Sequence, residues 1–240
     1  MPRLHLEAIE FTPADAEVIT GVSVDQQRNW RRYGYLPKSL GKHARFKPHQ
    51  LARMLVMQML SKRGIGPSKS HIAASKIGAY VIYYACVVSK KGFEDRSGLD
   101  LSLDVYSSSR QRHARGYLKY IAKHAAFVDS DIKVDDVKLK DDEGGSARFE
   151  GDPAVFVIWS AEDRFSFANF LDFSFDRSVK LWGGSSGPYV VLKFDEIADV
   201  LLRKIDGPLF YINLAPEDDA EKYPFEFGLP SSENDGGGDG

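Results

Sequence analysis

Between Pro13 and Pro37 the chain carries the punctuation of two short helices joined by a tight turn, and few other folds fit that spacing. Pro13-Ala14 opens a first helix, because proline is tolerated in a first turn whose N–H has no partner anyway. That helix is expected to end near Thr20. Gly21 then supplies a backbone that turns without a Cβ penalty. Ser23 with Gln26 has the S-x-x-Q spacing of a capping box, so a second helix starts there. Gly34 stops it, and Pro37 prevents its continuation.

The second helix is expected to anchor through Val24 and Trp30. It is expected to spread Gln26, Gln27, Arg28, Arg31 and Arg32 over an exposed surface. After Pro37, Lys38–Phe46 reads as a short hairpin with Gly41 at its tip, which would put Lys42, His43 and Arg45 on a wing beside that helix. A third helix is expected over His49–Arg63, with Leu51, Met54, Leu55, Met59 and Leu60 as its core face.

Charge is divided unevenly along the chain. Net charge is −2, yet the first seventy residues hold twelve Lys/Arg against five Asp/Glu. From Arg28 to Lys69 there are eleven basic residues and no acidic one. A one-signed block attracts a polyanion, since each cation near a phosphate releases condensed counterions. In the second helix glutamine can pair with adenine and arginine with guanine, so the residue types suit base reading as well as phosphate contact.

Further along, residues 67–126 read as two longer helices broken at Lys91-Gly92 and Ser97-Gly98. The half of the first helix from Ile77 to Val88 is apolar on several faces, which suggests an interface between subunits or domains. Residues 127–152 are charged and Gly-rich, as in a linker or loop. Residues 153–215 change to strand chemistry in Ala154–Trp159, Arg164–Phe170, Val179–Trp182, Tyr189–Phe194 and Leu209–Leu214. A helix over Glu196–Lys204 capped by Asp195 interrupts these strands. Residues 216–240 form an acidic Gly-rich tail. The expected fold is therefore α+β. It combines an N-terminal winged helix-turn-helix over 1–66, central helices over 67–126, and a small mixed α/β-sheet domain over 153–215.

The run from 12 to 66 resembles the MerR-type winged helix-turn-helix regulators. The resemblance rests on Gly21, Val22-Ser23, Arg28 two before the aromatic Trp30, Gly34-Tyr35-Leu36-Pro37, Arg45-Phe46 and Gly64-Ile65-Gly66. It differs at Gln27, where the family has an apolar residue, and at Arg31, where the family has an acid. The wing arginine of the family falls where Ala44 stands, one place before Arg45. The resemblance implies docking of the second helix in the major groove, wing contacts to flanking phosphates, and dimeric binding to a two-fold site. Ser23, Gln26, Gln27, Arg28, Arg31, Arg32, Lys42, His43 and Arg45 form the candidate DNA-contacting set.

The function expected is that of a sequence-specific, double-stranded-DNA-binding transcriptional regulator. Its expected partner is a second copy of the chain, and whether an unknown small-molecule effector also binds is left open by the resemblance. An architectural or excision-type DNA-bending protein remains an alternative, as does a DNA-targeted enzyme with catalysis in residues 100–214. No catalytic constellation is legible: neither a nucleophile elbow nor a Gly-rich phosphate loop occurs, and Asp172 and Asp176 lack reacting partners. The six histidines have no metal-ligand spacing and the single cysteine, Cys86, forms no framework, so no metal and no cofactor are expected. No apolar run reaches the roughly 20 residues of a membrane span. The N-terminus has no secretory pattern. A cytoplasmic, bacterial-type nucleoid protein is expected.

Overall fold

The computed structural model describes residues 4–38, 44–87, 90–96, 155–159, 164–168 and 189–214. It is a mixed α+β molecule in which helices pack beside small sheets. Strand β1 (Leu4–Ala8) leads to helices α1 (Pro13–Thr20), α2 (Val24–Arg32), α3 (Pro48–Ser61) and α4 (Pro67–Val87). A single 3-10 turn over Lys90–Gly92 enters strand β2 (Phe93–Asp95). Strands β3 (Val155–Trp159), β4 (Arg164–Ala168) and β5 (Tyr189–Lys193) follow, then helix α5 (Phe194–Arg203) and strand β6 (Phe210–Leu214).

The first three helix starts are local events. Thr12 and Asp15 cap α1 reciprocally, side chain to backbone in both directions. Ser23 Oγ accepts the Gln26 N–H at 3.2 Å and starts α2. Pro48 sits in the first turn of α3. Gly21 and Gly34 close α1 and the α2 exit with φ of 73° and 77°, where a side chain would be strained.

Helix α3 is the scaffold. It buries nine of its residues, including Ala52, Arg53, Val56 and Met57 outside the expected core face, because other helices cover it on several sides. Helix α4 lies along it, and the two approach closely at Gly78. A Cβ there would sit 3.0 Å from the Arg53 backbone nitrogen and 3.3 Å from the His49 carbonyl oxygen. The glycine costs about 1 kcal/mol of helix propensity relative to alanine, and the close packing offsets it.

The apolar half of α4 is covered from within the chain. Ala79, Val81, Ile82, Tyr83, Ala85 and Cys86 are buried, and the Phe194 ring of α5 stacks on Tyr80 at 5.3 Å and 7°. The surplus apolar surface expected to meet another subunit or domain is thus taken up by α3 and α5. Local pattern displayed the surplus but not the partner, which lies over a hundred residues away.

Strand β6 is the middle strand of one sheet, antiparallel to β1 and parallel to β2. Ala8, Phe210 and Phe93 lie side by side in register, with the two phenylalanine rings 5.9 Å apart. Neither β1 nor β2 was expected from the sequence. The core therefore runs on across residue 66, from Phe11, Val22 and Trp30 through α3 and α4 to Leu201 and Ile212. A second antiparallel sheet has the order β4-β3-β5, and β5 passes into α5 without an intervening residue. Lys193, not Asp195, is the residue before α5; Asp195 lies within its first turn, where its charge still suits the helix N-terminus. The expected strand at Val179–Trp182, the helix after Ser97-Gly98, the linker and the tail lie outside the described residues.

Candidate nucleic-acid interface

Helix α2 is fixed on one side and open on the other. Its fixed side carries Trp30, 4% exposed, and Gln27, fully buried. Gln27 corrects the expectation of an exposed base-reading side chain. Its Nε2 donates to the carbonyls of Pro13 at 2.9 Å and Val22 at 2.8 Å, so it ties both ends of α1 to α2. The i,i+3 spacing to Trp30 is the sequence signal that places it inward. Val24 is only half-buried, so Trp30 is the principal anchor.

The open side carries Asp25, Arg28, Asn29 and Arg32, an i, i+3, i+4, i+7 stripe. Asp25 and Asn29 were missed in the sequence, although helical spacing from Arg28 and Arg32 marks both. Arg28 Nη1 meets Asp25 Oδ1 at 2.9 Å, with both side chains largely exposed. Such a pair contributes about 0–1 kcal/mol, so Arg28 can leave it for a stronger partner. Arg32 lies over the exposed Tyr33 ring at 5.1 Å and donates to its hydroxyl at 3.3 Å. Ser23 and Gln26 sit at the start of the helix, Ser23 exposed with its hydroxyl engaged in the cap and Gln26 partly exposed.

Arg31 differs from its expected exposed position. Its guanidinium lies 4.9 Å from the Phe46 ring centroid, and its buried Nε has no hydrogen-bond partner. Burial first, and the neighbouring Arg28 charge second, pull its pKa below the ordinary value. This cation is half withdrawn into a contact with the segment after Pro37. That segment reaches the body through Phe46, which exchanges two 2.9 Å backbone hydrogen bonds with Phe11. Arg45 beside it is exposed, and its charge acts on the carboxylate of Asp15. Lys42, His43 and the hairpin tip at Gly41 lie outside the described residues.

Acids lie at the start of α2, in Glu17 and Asp25, and the chain after them is one-signed. No acidic residue occurs from Gln26 to Phe93, a stretch that includes most of α2 and all of α3 and α4. Lys62, Arg63 and Lys69 are exposed at the α3–α4 junction. Exposed cations attract a polyanion, and the amide and guanidinium groups of α2 face outward to donate and accept. Among the described residues no helix is long and apolar enough to cross a membrane. No protein-family model matches the chain, and comparison with curated proteins and with solved structures gives no match either.

Proposed function

We propose that this chain binds double-stranded DNA with α2 as the recognition helix of a winged helix-turn-helix, and acts as a sequence-specific transcriptional regulator of MerR-like type. The observation that carries this reading is the outward stripe Asp25, Arg28, Asn29 and Arg32 at the edge of a long stretch without acids. In the major groove Arg28 exchanges its exposed partner Asp25 for guanine O6 and N7, while Asp25 accepts from a cytosine amino group. Asn29 and Gln26 suit adenine. Arg32 and Arg45 hold phosphates and set register. Arg31 contributes less to the phosphate contacts, because its guanidinium is engaged with Phe46.

One such helix reads few base pairs, so the reading includes two copies of the chain across a two-fold site. Their contact lies outside the apolar half of α4, which is buried within one chain. The role is that of a binding protein in the bacterial nucleoid rather than an enzyme. The test is fluorescence anisotropy of the full chain with duplexes enriched from a random pool, over a salt series. Affinity should fall steeply with salt, and the Arg32→Ala/Arg45→Ala double variant should flatten the slope by about one unit per lost phosphate contact. No enrichment at micromolar protein, or an unchanged slope in the double variant, overturns the assignment.

A further inference from the structure

The turn between α1 and α2 is held by side chains from three other places in the fold. Ile19 O accepts from Lys204 Nζ at 2.9 Å, Gly21 O from Gln58 Nε2 at 3.1 Å, and Val22 O from Gln27 Nε2 at 2.8 Å. Gln27 belongs to α2 and Gln58 to α3. Lys204 is the residue that ends α5, 185 positions beyond Ile19.

These carbonyls need partners. The last carbonyls of a helix have no intrahelical donor, and a cation near them also meets the negative end of the helix dipole. Helix α1 has no basic residue in its own last turn. Lys204 supplies the missing cation, and a charge-assisted bond of this kind is stronger than a neutral one. Its place is set by α5, whose Phe194, Ile197, Leu201 and Leu202 are buried and whose first residue continues directly from β5.

We infer that Lys204 is a positioning residue for the α1–α2 turn, and that through it the C-terminal helix sets how sharply α2 discriminates between DNA sequences. The inference rests on the DNA-binding reading of α2. The physical link is short. The outward stripe of α2 begins two residues after the turn closes at Ser23, and recognition groups must be held within about 0.5 Å of their productive geometry. A turn held by α3 and α2 alone has one carbonyl anchor fewer. The C-terminal region is in this way part of the reading head rather than an appendage to it.

The full chain with Lys204→Met, and with Lys204→Arg as the conservative partner, tests this. Hydrogen exchange without nucleic acid reads the turn directly. K204M should speed exchange of the Gly21 and Val22 amides about fivefold, the equivalent of one hydrogen bond of about 1 kcal/mol, and K204R should restore it. With a duplex enriched by the wild-type chain, K204M should narrow the affinity ratio between that duplex and its single-base variants several-fold. A purely structural role would lower the unfolding midpoint and leave that ratio alone. Unchanged exchange in K204M overturns the inference, as does faster exchange with an unchanged ratio. If the wild-type chain enriches no duplex, the DNA-binding reading falls and takes the discrimination with it. The exchange result then still decides whether Lys204 holds the turn.

Discussion

Helices α2 and α3 are neighbours in sequence with opposite tasks. Helix α3 buries nine of fourteen residues and even draws the stem of Arg53 inside, whereas α2 buries only Gln27 and Trp30 of its nine. A helix enclosed on several sides cannot shift without opening the core, since interiors are close-packed. A helix held by one aromatic anchor and one amide clasp keeps a whole face for a partner. The difference teaches that the stability of this region resides in α3 and its cover, while α2 keeps exposed the polar face on which the proposed DNA contacts lie.

The most disruptive way to break that comparison is to end the chain after Gly66. The fragment keeps α2 and its turn but strips α4 and α5 from α3, which in the full chain buries nine of its residues. The lost burial, at about 1.5–3 kcal/mol per large apolar side chain, exceeds what a domain with about 5–15 kcal/mol of total stability can lose. The fragment should show no cooperative thermal transition by circular dichroism. A sharp transition would mean that the first three helices hold themselves together and that α3 needs no cover.

The same contrast decides what could be read in advance. Helices α1 to α3 were legible because their boundaries are chemical and local: Thr12, Pro13, Gly21, Ser23, Gly34 and Pro48 act within a few residues of where they stand. The strands β3 and β5 were legible from β-branched and aromatic runs. Strand β2, three residues long, forms only because β6 runs parallel to it from far along the chain, and nothing near Phe93 announces that partner. Strand β1 carries a local signal, the alternation in Leu4-His5-Leu6-Glu7-Ala8. Within the candidate site the charges were legible and their facing was not. Arg31 turned toward Phe46 for reasons of packing that a count of exposed polar residue types does not contain, whereas the inward turn of Gln27 needed its spacing to Trp30 to be weighed above its polarity.

A smaller and sharper test bears on Gln27 itself. If it is part of the anchor, Gln27→Leu should cost about 1–3 kcal/mol in chemical denaturation. The Pro13 and Val22 carbonyls lose their donor, while the buried Oε1, which has no partner, is removed along with it. Base preference of the bound duplex should stay the same. Gln26→Ala should do the reverse, altering preference with little change in stability. A Q27L chain of undiminished stability but altered preference would put this side chain on the DNA side of α2.

The smallest effect separates the starts of the two helices flanking the turn. Asp15 closes the α1 box: its Oδ2 accepts the Thr12 hydroxyl at 2.7 Å and the Thr12 N–H at 2.8 Å. These hydrogen bonds, the hydroxyl first, hold its carboxyl below the ordinary 3.8 against a small opposing effect of burial, and the charge of Arg45 adds to them. A carboxylate with a depressed folded pKa contributes stability that is fully present above the unfolded value and is lost as pH falls through the folded value. The gap in urea midpoint between wild type and Asp15→Asn should thus be constant above about pH 5 and close as the pH drops below 3.8. Helix α2 starts from two side chains: the Ser23 hydroxyl, which titrates nowhere in this range, holds the Gln26 N–H at 3.2 Å, and Glu17 Oε2 accepts the Val24 N–H at 3.2 Å. Ser23→Ala should cost about 1 kcal/mol at every pH. A D15N gap that persists undiminished to pH 2 would show that the α1 cap works through shape rather than charge, and that the two helices start alike.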